Sequence, residues 1–412
     1  MASLMKPPLN SYAPVYRVGW MVDDSGSVTQ DVTVNFHWNG TLETNSDGDQ
    51  VAIDWGNVAI IPGLVNAHTH LEFSLLREPI PTAGRFTDWI RAVVKYRREQ
   101  TESFTGNYVP EALRAGGAES VRCGTTLIGD IATTGWSRDD YSTTGFTGVV
   151  FQELIGRGDE RVRLQTELAR NVMSWEGHFG LSPHAPYSVR PDLLKSAVAV
   201  ALARTTARPV AMHLAETEAE LELLADGTGE FRELLTEFGI WRDGHFGGER
   251  PLTWLETLAA APRSLIVHGN YLVEEELQFL AARPHMTLVY CPRTHAAFGH
   301  QHHPWRRLLE LGGSVAFGTD SRASNPDLSL FAELQFVAKQ HPDLSHLTLL
   351  DLATRGGRRA LLGNADEGRS TDFTLVRLAP SHAGDLTCDL FAPSSEVVGM
   401  LRNAHPIVTR SH

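Results

Sequence analysis

Three observations predict the fold class: short apolar runs alternate with helical stretches through the middle of the chain, strand-like patterns are confined to its two ends, and polar residues recur where the apolar runs stop. Together they predict an α/β protein, a TIM-type (β/α)8 barrel over residues 61–370 with a small composite β-sandwich from residues 1–60 and 371–412. A chain of 412 residues has room for both, since such a barrel takes ~250 residues.

At the start, Val15-Tyr16-Arg17-Val18 and Val32-Thr33-Val34-Asn35-Phe36 alternate apolar with polar, and Asp24-Ser25-Gly26 and Asn45-Ser46-Asp47-Gly48 mark turns. The far end, with Asp372 to Leu378 and Val397 to Leu401, has the same strand character. Between them, Phe86–Glu99, Pro110–Arg122, Pro191–Arg204 and Glu216–Ala225 read as helices. Eight runs read as buried strands: Ile60–Asn66, Thr125–Asp130, Gly148–Glu153, Phe179–Pro183, Pro209–His213, Leu265–His268, Thr287–Cys291 and Ser314–Thr319. Eight closes a barrel, although the same alternation also suits a doubly wound open sheet. The Gly-rich segment Asp243–Pro251 reads as a surface excursion.

Composition narrows the function classes. With 49 acidic against 36 basic residues the net charge is −13, which disfavours nucleic acid and anionic membrane as partners. Cys123, Cys291 and Cys388 lie far apart, so neither a disulfide framework nor a cysteine metal site is expected. The longest apolar stretch, Ala197–Ala203, is far below the ~20 residues that span a bilayer. Met1–Pro14 has no apolar segment of the kind that directs secretion, so the expected location is the cytoplasm. A homo-oligomer is compatible with the sequence, but no motif demands one.

Chemistry enters at Ile61-Pro62-Gly63-Leu64-Val65-Asn66-Ala67-His68-Thr69-His70, where an apolar strand delivers two imidazoles two positions apart and so to one face. Among 18 histidines one such pair arises by chance. Its meaning comes from recurrence: Glu153, His184, His213 with Glu216, His268 and Asp320 with Ser321 also stand where apolar runs stop, the face on which barrel enzymes build their sites. His68, His70, His213 and Asp320 form an N/O donor set suited to one divalent ion, Zn²⁺ ahead of Fe²⁺, with a position left for water. The chemistry so implied is hydrolytic. Glu216, three residues after His213, is placed to shuttle a proton, and the competing reading is a first-turn glutamate favoured by the helix dipole. His268 is placed to stabilise the attacked centre or orient the nucleophile.

These segments resemble the metal-dependent amidohydrolase superfamily, in its branch of deaminases and chlorohydrolases: S-adenosylhomocysteine, aminodeoxyfutalosine and guanine deaminases and the triazine chlorohydrolases. The matching segments are PGLVNAHTHLEFS from Pro62, GLSPHAPYSV from Gly180, HLAETEAE from His213, VHGNYL from Val267, CPRTHAAFG from Cys291 and GTDSRASN from Gly318. The resemblance implies the same barrel and terminal sandwich, with one metal on His68, His70, His213 and Asp320. It also implies Glu216 as proton shuttle, His268 at the reacting water, Asp320 as acceptor of the water's proton and His184 against the substrate ring. Binuclear relatives carry a carboxylated lysine after strand 4, a position without lysine in Gly180–His184, so one metal is expected.

Two departures bear on substrate. The usual C-P-x-S-N-x-x-L reads Cys291-Pro292-Arg293-Thr294-His295-Ala296-Ala297-Phe298, and the loop after strand 1 reads Leu71-Glu72-Phe73-Ser74-Leu75-Leu76-Arg77; both are more similar to the aminodeoxyfutalosine deaminase side of the branch. Glu153 and Arg77 join His184 as candidate substrate contacts. Phe86 and Trp89 suit stacking on a flat ring, and equally suit a helix core. His300, His302 and His303 read as a solvated or lid segment rather than a second metal site. The expected activity is hydrolytic deamination of an amino-substituted N-heterocycle, an adenine-containing nucleoside-like compound before others. The alternatives are a chlorohydrolase or cyclic-amide hydrolase on the same site and, remotely, a silent scaffold.

Overall fold

The computed structural model describes residues 15–36, 42–44, 53–103, 108–133, 135–142, 147–203, 207–363, 372–379, 385–402 and 405–408. Met1–Pro14 and the turn expected at Asn45–Gly48 lie outside the described residues. In chain order the strands are β1 (Val15–Val22), β2 (Val28–Phe36), β3 (Leu42–Thr44), β4 (Ile53–Asp54), β5 (Val58–Pro62), β6 (Leu64–Thr69), β7 (Thr125–Ala132) and β8 (Thr147–Leu154). They continue as β9 (Phe179–Pro183), β10 (Pro209–Leu214), β11 (Arg263–His268), β12 (Met286–Tyr290), β13 (Ser314–Phe317), β14 (Phe373–Arg377), β15 (Glu396–Arg402) and β16 (His405–Val408).

β6 to β13 pair in sequence order, parallel throughout. The ring closes where Thr69 bridges Asp320 and the His68 carbonyl accepts from the backbone N–H groups of Thr319 and Asp320, each at 3.1 Å. Asn66 reinforces this seam: its Nδ2 donates to Thr319 Oγ1 at 2.8 Å and its Oδ1 accepts from Thr319 N at 3.1 Å. The interior is filled by Val65, Leu127, Phe151, Ala211, Leu265, Val289 and Ala316, with Leu361 from the helix Gly357–Leu362. Each Val, Leu or Phe among them, taken fully from water, contributes about 1.5–3 kcal/mol. The eight strands expected from sequence are therefore the eight barrel strands, with one difference at the first.

Ile60–Asn66 is not one strand. The chain crosses between sheets at Gly63, so β5 pairs antiparallel with β14 and parallel with β1, while β6 enters the barrel. A Cβ on Gly63 would lie 2.3 Å from the Thr126 side chain, which is why this crossing takes glycine. β5 belongs to a separate sheet built from both chain ends, ordered β3-β2-β1-β5-β14-β15-β16 with β4 on β1. Its eight strands form one continuous sheet around Val18, Val32, Val34, Ile60, Phe373, Leu375 and Leu401.

The helices follow local signals. Pro191 opens Pro191–Leu202, where its missing N–H costs nothing. The expected helix Glu216–Ala225 instead begins at Glu218, because Thr217 caps it by accepting from Glu220 N; Gly227, at φ 65°, ends it. Glu216 is thus left outside the helix, on the connection after β10. Among the described residues, no helix is long and apolar enough to cross a membrane.

Candidate active site

The strand ends at one mouth of the barrel bring His68, His70, His213, His268 and Asp320 together. Ligating atoms of His68, His70 and Asp320 lie within 4.8 Å of one another, as do those of His68, His213 and His268. Nε2 of His70 is 3.3 Å from Nε2 of His213, and Asp320 Oδ1 is 3.6 Å from His68 Nε2 and 3.7 Å from His70 Nε2. His70 stands one residue beyond β6, and the β6–β7 pairing carries an irregularity between Asn66 and Thr69, where the two imidazoles leave the strand. Leu71 N donates to Asp130 Oδ1 at 2.8 Å, fixing the backbone just after His70.

Backbone strain concentrates here. Of four non-glycine residues with positive φ among the described residues, Ala215 (53°), His268 (65°) and Asp320 (56°) belong to this mouth. Each such conformation costs about 1–3 kcal/mol and persists only where surrounding contacts impose it.

The electrostatics divide the groups by role. Burial, reinforced by neighbouring imidazoles, holds His70 and His213 well below the usual histidine range, so both present neutral nitrogens. His213 Nδ1 donates to the His184 carbonyl at 3.0 Å, which leaves Nε2 as the lone-pair nitrogen facing His70. For Asp320, burial acts upward, but His68, His268 and the Ser324 hydroxyl (2.6 Å) outweigh it and bring the carboxyl to about 2. Glu216 goes the other way: burial first, then the charges of Asp320 and Glu220, push it well above the carboxylate range. Its Oε1 lies 3.3 Å from His268 Nε2.

A metal ion fits this donor set. Nε2 of His68, which faces Asp320 at 3.6 Å, is buried without a hydrogen-bond partner, an arrangement that costs stability unless something else engages it. Three imidazoles and one carboxylate suit a borderline divalent ion.

The remaining candidates separate. His184 Nδ1 is 2.7 Å from Ser188 Oγ, and its Nε2 is 3.9 Å from Glu153 Oε1, which is buried and without a hydrogen-bond partner. Phe86 and Trp89 stack on each other (centroids 5.5 Å), both meet Phe298, and Trp89 Nε1 donates to Ala323 O at 3.3 Å. The Phe86–Trp89 pair is thereby packed into a cluster with Phe231 and Tyr187. Arg77 is not brought to the cluster; it is exposed on the loop after β6, where its carbonyl accepts from Arg322.

The histidine loop departs from the solvated reading. His302 is exposed, but His303 is tucked under His268, and burial pushes its pKa down to about 3. Arg293, the departure inside C-P-R-T-H, makes ion pairs with Glu333 (2.7 Å) and Asp327 (2.6 Å). Sequence reading passed over Glu220, whose buried carboxylate accepts from Ala215 N (2.8 Å) and Glu216 N (3.1 Å) and so anchors the backbone that carries Glu216. Thr217-x-x-Glu220 is a capping-box pattern, a signal that could have found it. It also passed over Asp130 and the half-buried pair Glu72–Arg97, for which no local pattern exists.

Comparison with known proteins agrees with this geometry. A 5-methylthioadenosine/S-adenosylhomocysteine deaminase of Pyrococcus furiosus is 30% identical over 355 residues, covering 81% of this chain and 78% of that protein. The structure of Helicobacter pylori aminofutalosine deaminase in complex with methylthio-coformycin matches with a TM-score of 0.80 at 21% identity, over 96% of this chain and 100% of that one. The atrazine chlorohydrolase of Arthrobacter aurescens complexed with zinc matches with a TM-score of 0.75 at 18% identity, over 96% and 95%. The Amidohydrolase family model matches residues 59–409, from β5 through the whole barrel to β16. With its divalent-metal donor set at the barrel mouth, the chain belongs to the amidohydrolase family of hydrolases acting on carbon–nitrogen bonds.

Proposed function

We propose that this chain is a mononuclear, zinc-dependent cytoplasmic deaminase that releases ammonia from the adenine-type ring of a nucleoside-like compound, aminodeoxyfutalosine or a 5′-thioadenosine among them. The observation that carries the reading is Glu216: a buried carboxyl, raised well above the carboxylate range by burial and by the Asp320 charge, with Oε1 3.3 Å from His268 Nε2. The Pyrococcus deaminase supports the adenine-type substrate.

His68, His70, His213 and Asp320 would hold the ion, which when bound supplies Lewis acidity and lowers a water's pKa from about 15.7 to about 7. The protonated Glu216 donates to the ring nitrogen beside the amine-bearing carbon, which prepares that carbon for attack. Asp320, ionised, takes the proton released by the attacking water. Glu216, left ionised, takes the second water proton from the added hydroxyl as the carbonyl forms and delivers it to the amine, and the proton held on Asp320 restores Glu216, so that one water enters and one ammonia leaves. His268 Nε2, 3.3 Å from Glu216, steadies the oxygen being added, while His184 and Glu153 face the substrate.

The test is ammonia release by the metal-analysed protein from 6-aminopurine nucleosides and thionucleosides, aminodeoxyfutalosine, guanine, cytosine and aminotriazines. Release from an adenine-type compound at about one metal per chain is expected. Chloride release from a chlorotriazine, or turnover of guanine or cytosine alone, would overturn the substrate assignment.

A further inference from the structure

His268, like Ala215 and Asp320, holds a left-handed backbone that side chains with a Cβ rarely adopt, here at φ 65°. Pairing of β11 with β12 ends at Val267 and Val289, one residue short of it. Gly269 follows, also left-handed at φ 60°, with its N–H on Leu214 O at 3.0 Å. The chain therefore turns sharply at His268, and that turn aims the imidazole at Glu216.

The His268 carbonyl is held from one side by a side chain from another loop. His303 Nε2 lies 2.7 Å from His268 O. The tautomer follows from the other ring nitrogen: Trp305 N donates to His303 Nδ1 at 3.1 Å, so Nδ1 accepts and the ring proton resides on Nε2, pointing at the His268 carbonyl. The ring cannot swing away, because it is stacked on Tyr290 at the end of β12 with centroids 3.9 Å apart and 27° between planes. His295 closes a third side, edge-on at 5.4 Å. A rigid donor is thus supplied to a strained carbonyl at the barrel mouth.

We propose that His303 is a positioning residue for the reaction: its Nε2–H clamps the His268 carbonyl and so keeps His268 in the left-handed turn that presents its imidazole to Glu216. His303 does not touch substrate and acts only through His268. As a mechanism the proposal rests on the deaminase reading above; as a statement about the His268 backbone it does not.

Three substitutions in the full-length, metal-loaded protein separate hydrogen bonding from packing. His303→Phe keeps a ring on Tyr290 but removes the donor, His303→Ala removes both, and His303→Gln keeps an N–H able to reach the carbonyl. Displacing a reacting group by about 1 Å costs on the order of 100-fold. The expected result is a kcat loss of that order in His303→Phe and His303→Ala at unchanged KM and metal content, with most of the rate restored in His303→Gln. Crystal structures of the same variants supply a readout free of substrate: His268 φ should leave the positive region in His303→Phe and stay near its present value in His303→Gln. Parent-like φ in His303→Phe, or a His303→Gln variant as slow as His303→Phe, overturns the proposal. If the parent releases no ammonia from any purine while φ responds as stated, the deaminase reading fails and the clamp stands.

Discussion

Nε2 of His70 and Nε2 of His213 face each other at 3.3 Å inside a buried cluster in which both imidazoles are neutral. A bound ion gives both lone pairs a partner, so metal and fold stability are linked. Chelation should lower the melting temperature and added Zn²⁺ should restore it; at a free ion concentration 100-fold above Kd the stabilisation is about 2.7 kcal/mol. His213→Ala should abolish the response. A chelator that shifts the variant as much as the parent would sink the ligand assignment.

Glu216 lies outside the donor set, with its backbone anchored by Glu220 and by Asn270 Nδ2 at 2.9 Å. Glu216→Gln keeps size and hydrogen-bonding capacity but cannot cycle a proton. Metal content should be unchanged while kcat falls by roughly 10²–10⁴. Parent-like turnover would remove Glu216 from the mechanism.

Asp130, buried at the end of β7, hydrogen-bonds Leu71 N and the Tyr141 hydroxyl. Burial is the main cause that raises its pKa from an ordinary 3.8 to about 7. Between those values the unfolded chain has released the proton and the folded chain retains it, so stability is full below the lower value and is lost as pH rises through the upper. Asp130→Asn cannot ionise. Its melting temperature relative to the parent should therefore rise between pH 4 and pH 8, and a pH-independent difference would show that Asp130 is charged in the folded protein.

Gly318 carries the barrel seam. A Cβ there would come 2.8 Å from the His68 backbone oxygen and 3.1 Å from its nitrogen, neither of which can move without shifting a proposed metal ligand. Gly318→Ala should cost about 1–3 kcal/mol in denaturant melts. Zinc affinity, measured by competition with a chromophoric chelator, should fall with it. Wild-type affinity in a destabilised variant would separate the seam from the site.

What the sequence determined by itself is what short-range pattern can carry. Strand and helix periods, and the polar residue closing each apolar run, follow from local geometry, so the eight barrel strands and the grouping of His68, His70, His213, His268 and Asp320 were legible before any coordinates. Glu216 was legible as a candidate too, although its placement outside the helix waited on the Thr217 cap. Tertiary structure decided the rest, because each remaining feature joins residues distant in the chain. Gly63 became a crossing between sheets through the Thr126 side chain packed against it, and Arg77 turned to solvent on a loop with no period to read. His303 lost its solvated character because Tyr290 and the His268 carbonyl, 35 residues away, were folded against it. Periodicity specifies which face a residue shares with its neighbours; only packing specifies what that face meets.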